Sequence, residues 1–251
     1  MMTTTDVADI APVSRDEAHT LAMTEYVRMV DQLRSLGPDD WSQPTDCPLW
    51  DVRAMAGHSV GMMGDFTSFR TVMRRMRGAT KAAKVAGGPL VDSMTALQVA
   101  DHAALSVGEL IALAETNGPK AAAWRTQGPR LLRRVPMKEE VGGKQETWTF
   151  GFLFDTILTR DPWMHRVDIA RATGREMVLT PEHDGRIIAD VVAEWARRHG
   201  QPFTLVLTGP IGVTYIGGEG GEHITIDAVE LCRVLSGRAE GTGLLAQPVP
   251  F

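Results

Sequence analysis

The stretch LTRDPWMHRVDIARATGR, residues 158–175, decides how this chain folds and where its chemistry lies. Its apolar residues recur at helical spacing, and Gly174 stands where a helix would end. Asp161 and His165 are four residues apart. On a helix they rise about 6 Å together and project from one face, so both can reach one ion. Pro162 interrupts the same turn: it removes a helical hydrogen bond and crowds the turn before it. Two outcomes are open. The helix kinks and re-aims Asp161 and His165, or it starts anew with Asp161 as its N-cap, which occupies the carboxylate that an ion would need.

Two ligands do not complete a site, since catalytic zinc takes three protein ligands and leaves one position open. His58 is the best third candidate: Met55 and Met62 lie at helical spacing on either side of it, which places it on an inward stripe. His102, beside Asp101, is the reserve. His19, His183, His199 and His223 fall near helix starts or turn-like segments and are poorer choices. The plain alternative is an inward histidine satisfied within the core, with D-x-x-x-H as an ordinary helix-surface pair; spacing alone does not decide between them.

Outward from this stretch, the first dozen residues read as a frayed tail. Ser14 and Glu17 form a capping box that opens helix one, which closes at Gly37 and Pro38. Residues 51–76 carry one long helical period despite Gly57, Gly61 and Gly64, each of which weakens a helix by up to about 1 kcal/mol relative to alanine. The six positive and no acidic residues from Arg70 to Lys84 read as a solvated helix end. Helix three spans residues 93–115 and stops at the sequence NGP; residues 118–148 are the least regular, a candidate flap. Residues 149–173 form helix four, and four helices imply a bundle with sites facing inward. Beyond residue 180 come a helix, two short strands around Thr208–Gly212, a third strand and a last helix. The expectation is an α+β chain: a helical domain over residues 1–180 and a small α/β domain over 181–251.

With 251 residues, a formal net charge of -5 and 43% hydrophobic residues, the composition fits a globular protein and offers no electrostatic footprint for nucleic acid. The two cysteines, Cys47 and Cys232, make no disulfide framework or CxxC cluster, which suits a reducing, cytoplasmic setting. No signal-peptide pattern and no membrane-length apolar run is present, so no membrane partner is expected. A monomer and a homodimer fit equally well.

LGPDDWSQPTDCPLWDVRAMAGH (36–58), followed by TRDPWMHRVDIARATGR (159–175), resembles the mycothiol-dependent maleylpyruvate isomerase family of DinB-like four-helix metalloproteins. The segments LTGPIGVTYIGG, DAVELCRVLSGR and the final VPF are similar to that family's small C-terminal domain. The resemblance implies a divalent metal, usually zinc, on a histidine of W-x-V-x-x-x-x-x-H and on an acidic residue and a histidine of the later helix: here His58, Asp161 and His165. Relatives often carry Glu where this chain has Asp161. The resemblance also implies mycothiol as cosubstrate, deprotonated at the metal's open position, because thiolate and not thiol is the nucleophile. Thiolate addition to a small conjugated electrophile then permits cis/trans isomerisation, or the adduct is kept as in a transferase. A non-catalytic metal-binding stress or regulatory protein of the same fold is the alternative.

Further candidates have structural alternatives. Trp50 and Trp163 flank the ligands and either wall the thiol-binding pocket or pack in the core. Asp168 can orient a ligand or pair on the helix surface. Arg238 can meet a substrate carboxylate bidentately or serve as a cation near a helix C-terminus. Cys47, in the TDCPLW loop, is expected to pack.

Overall fold

A computed structural model describes residues 4–128 and 130–251. The elements are β1 (Thr4–Asp6), α1 (Arg15–Ser35), α2 (Val52–Asp65), α3 (Phe69–Ala86), α4 (Leu90–His102), α5 (Val107–Gln127), β2 (Pro136–Val141), β3 (Lys144–Thr149), α6 (Phe150–Phe152), α7 (Leu158–Thr173), α8 (Arg186–His199), β4 (Phe203–Thr208), β5 (Val213–Gly217), β6 (Glu222–Asp227) and α9 (Ala228–Leu235). The chain is helix-rich with a small sheet region. It forms two compact units interleaved in sequence: residues 15–134 with 161–177, and the chain up to Ser14 with 135–160 and 178–251.

The helical unit departs from four long helices. The single helix expected over residues 51–76 breaks after Asp65 because Ser68 caps a new one, its hydroxyl accepting from the Thr71 N–H while Thr71 Oγ1 takes the Ser68 N–H. Helix three likewise becomes α4 and α5, divided where Ser106 and Glu109 form a capping box. The NGP sequence does not stop α5, which carries Pro119 internally. Gly118 there lets α5 approach α1, since a Cβ on it would stand 3.0 Å from the Tyr26 Cβ. α1 packs on α5, α2 on α4 and α5, and α3 on α4, around a core that includes Met29, Leu33, Met55, Met63 and Leu110.

Gly61 marks the closest approach of α2 to α4, where a Cβ would lie 2.8 Å from the Gln98 Cβ. Gly61→Ala is therefore expected to destabilise the protein, overpacking of about 1–3 kcal/mol outweighing a helix-propensity gain of up to about 1 kcal/mol. Urea denaturation checks this; a more stable variant would contradict the close approach.

In the other unit the sheet runs β1-β5-β4-β6, with β4 antiparallel to β5 and parallel to β6. The frayed tail expected at the N-terminus is corrected: Thr4–Asp6 pair in parallel with Thr214–Ile216. β4 alternates, burying Phe203, Leu205 and Leu207. Opposite Phe203 the sheet needs Gly217, because a Cβ there would come 2.4 Å from the Phe203 ring. Part of the region expected to be irregular is ordered: β2 and β3 form a hairpin whose two turn residues, Gly142 and Gly143, have φ of 56° and 75°, the two-residue turn that positive φ permits. Trp195 of α8 is fully buried against Phe203 and His199. Arg160 donates to Asp190, Glu194 and the Pro250 carbonyl, and Arg198 bridges Glu194 and Glu146. Among the described residues no helix is long and apolar enough to cross a membrane.

Candidate metal centre

α7 is already helical at Leu158, so Asp161 lies in its first turn and is not the cap of a fresh helix. A π-turn at Leu153–Ile157 precedes it. Leu158, four residues before Pro162, has ψ of -1° instead of about -42°. That distortion accommodates the proline ring and the missing donor, and it leaves the Asp161 carboxylate uncommitted to a cap.

The structure brings His58, Asp161 and His165 together, one ligand atom from each lying within 4.8 Å of the others. His58 Nε2 is 3.6 Å from Asp161 Oδ2, and His165 Nε2 is 3.3 Å from Asp161 Oδ1. Both histidines are buried. Asp161 Oδ2 is sealed from solvent with no hydrogen-bond partner among the described residues. A buried carboxylate oxygen without a donor is costly unless a cation answers it. Two imidazole nitrogens and one carboxylate are a donor set that zinc accepts, with a fourth position left open. The residues fit a divalent cation.

The other ring nitrogens are also engaged. His165 Nδ1 bonds Asp168 Oδ2 at 3.1 Å, and His58 Nδ1 bonds Gln98 Oε1 at 2.8 Å. Asp168 and Gln98 are buried. His102, the reserve ligand, is occupied elsewhere, its Nδ1 donating to the Gln98 carbonyl at 2.7 Å. Trp50 covers the pair, its ring centroid 4.8 Å from His58 and 5.8 Å from His165. It is held there by the 43–51 loop, in which the Trp50 N–H donates to the Cys47 carbonyl and Pro44 bridges Asp51. Trp163 is fully buried, about 200° around α7 from Asp161, and offers a solute no surface. Arg238 is half-buried after α9 in the sheet-containing unit, its N–H donating to the Arg233 carbonyl. Cys47 is half-buried, its Sγ within 4.8 Å of His165 and Asp168 ligand atoms.

Burial pushes His165 toward the neutral form, but the Asp161 and Asp168 carboxylates outweigh it and raise its pKa to about 9. Burial likewise opposes ionisation of Asp161, and His165 and His58 more than offset this, holding its carboxyl well below the usual range. A histidine pKa raised from about 6.5 to about 9 gives stability that is complete below about pH 6.5 and lost as pH rises through about 9. The chelator-treated protein is thus expected to melt at progressively lower temperature between those values, and His165→Gln to flatten the profile. A wild-type melting temperature that rises over this window would contradict the assignment.

Glutamine at position 98 had no sequence signal of its own: it sits 40 residues from His58 within an ordinary helical period. Its role is visible only once α4 is packed on α2.

Among known proteins, no curated protein sequence matches the chain. Crystal structures of the mycothiol-dependent maleylpyruvate isomerase and of a histidine-to-alanine mutant of it are similar in fold, with TM-scores of 0.53 and 0.52 at 15% sequence identity, over 94% of this chain and 92% of theirs. The family model for the mycothiol maleylpyruvate isomerase N-terminal domain matches residues 22–170, a span that contains His58, Asp161 and His165. The chain belongs to the mycothiol maleylpyruvate isomerase N-terminal domain family.

Proposed function

We propose that this protein is a metal-dependent enzyme that uses mycothiol to isomerise, or to transfer the thiol to, a small conjugated electrophile such as maleylpyruvate. The observation that carries it is the convergence of His58, Asp161 and His165 around a buried, unanswered carboxylate oxygen, in a chain of this family. These three side chains would hold the ion, with zinc favoured by the donor set. A divalent cation bound there supplies the Lewis acidity that favours thiolate over thiol at neutral pH.

The chain's own groups do the rest. Asp168 and Gln98 fix the two imidazoles from behind. Trp50 lies against both rings. Addition of thiolate to the conjugated double bond gives an enolate with a single bond in its place, which rotates before thiolate is expelled again; protonation of the enolate carbon from water would instead keep the adduct and make the same chemistry a transfer. Arg238 is assigned to a substrate carboxylate on the bidentate fit of guanidinium to carboxylate. In this reading the helical part that supplies the proposed ligands gives way to the small α/β part near residue 180, with residues 4–14 and 135–160 grouped with the latter. A cytoplasmic location goes with a thiol cosubstrate kept reduced.

The zinc-loaded protein, given mycothiol and maleylpyruvate, is expected to form the trans isomer only while thiol is present and to stop when a chelator is added. Stoichiometric zinc with no turnover on maleylpyruvate or on a panel of conjugated acids would reject the enzymatic reading in favour of a non-catalytic metal-binding role.

A further inference from the structure

Behind His58 the buried polar groups form a directional chain. Gln98, 1% exposed, accepts at Oε1 from His58 Nδ1 at 2.8 Å and donates from Nε2 to Asp65 Oδ2 at 2.8 Å. Asp65, 3% exposed, also accepts from Arg75 Nε at 2.8 and 2.7 Å, and Arg75 donates onward to Asp101 at 2.8 Å. The direction is set by chemistry. A guanidinium only donates, and a carboxylate paired with it only accepts. The Gln98 amide must therefore turn its NH2 to Asp65 and its oxygen to His58. An amide oxygen cannot donate, so a His58 proton is required on Nδ1, and in the neutral ring the Nε2 lone pair is left to face Asp161. Gly61 allows this: any Cβ there would displace Gln98.

We infer that Gln98, clamped by Asp65 and Arg75, is a positioning residue that selects the His58 tautomer able to ligate a cation through Nε2. This rests on the proposal that His58 is a metal ligand. It sets the two histidines apart, since His165 is backed by the carboxylate of Asp168 and His58 by a neutral amide whose orientation is imposed from α3. Without that imposed orientation the Nε2 of His58 would take the proton and donate it to Asp161, removing one ligand atom.

The test uses the full chain in four forms: wild type, Gln98→Leu, Asp65→Asn, and the double variant Asp65→Asn with Gln98→Glu. In the double variant the amide introduced at position 65 accepts from Arg75 and donates to the carboxylate introduced at position 98, which again accepts from His58 Nδ1. Zinc affinity is measured by chelator competition, and the His58 ring protons are located in metal-free protein by long-range proton–nitrogen NMR. Gln98→Leu is expected to weaken zinc by about 10–100-fold and to move the His58 proton to Nε2. Asp65→Asn is expected to weaken zinc less and to give both tautomers, and the double variant to recover affinity and the Nδ1 proton. A folded Gln98→Leu protein with unchanged zinc affinity and an Nδ1 proton overturns the inference. Failure of the double variant to recover, while Asp65→Asn alone is weakened, would show that these side chains only fill space, which also overturns it. Wild-type protein that binds no zinc would instead reject the ligand assignment, and is told apart because the tautomer is read without metal.

Discussion

Alanine at His58 or at His165 is expected to lower kcat/KM for thiol-dependent turnover by about 1000-fold or more, since a lost cation removes several kcal/mol of transition-state stabilisation. Each side chain supplies one of the three converging atoms proposed to ligate, and two remaining ligands would not hold an ion in place. Asp161→Asn should behave similarly: it removes the charge that the two imidazoles surround but leaves the packing almost unchanged. Steady-state assays at fixed mycothiol check all three. Turnover within a few-fold of wild type in both histidine variants would exclude the mechanism, whereas Trp50→Ala is expected to cost less because that ring covers the site without ligating.

Arg160→Met carries the largest expected effect on stability, about 3–5 kcal/mol. The guanidinium is 1% exposed and lies between Asp190 and Glu194 at 2.6 Å each. Removing it leaves two buried carboxylates, one of which, Glu194, keeps Arg198 while Asp190 loses its partner in this network. Adding Asp190→Asn should return part of the loss, because the uncompensated charge and not the missing hydrogen bonds dominates the cost. Urea denaturation of the single and double variants measures this. A single variant within about 1 kcal/mol of wild type would show that the network is better solvated than its burial indicates.

Much of the site lay open in the sequence because helices translate spacing into geometry. Asp161 and His165 share a face of α7 by their four-residue spacing, and the W-x-V-x-x-x-x-x-H segment pointed to His58 through family resemblance. What spacing could not supply was the outcome of the competition at Pro162: α7 is helical from Leu158, after a π-turn, so Asp161 lies inside it and caps no new helix. The helix breaks at Ser68 and Ser106 did have local signals, a hydroxyl followed three residues later by a hydrogen-bonding side chain, but the continuing apolar period outweighed them. β1 was out of reach, since its three residues pair with a strand some 210 positions later and only tertiary contact defines it. Gln98 was equally hidden. A glutamine carries no chemical mark in a helical pattern until the carboxylate behind it and the imidazole before it are known.

That His58, Asp161 and His165 hold one divalent ion is tested most directly by elemental analysis of untagged protein purified without chelator, wild type beside His165→Ala. About one zinc per wild-type chain and none in the variant are expected. Wild-type protein without metal, even after incubation with zinc and removal of the excess, would contradict the ligand assignment.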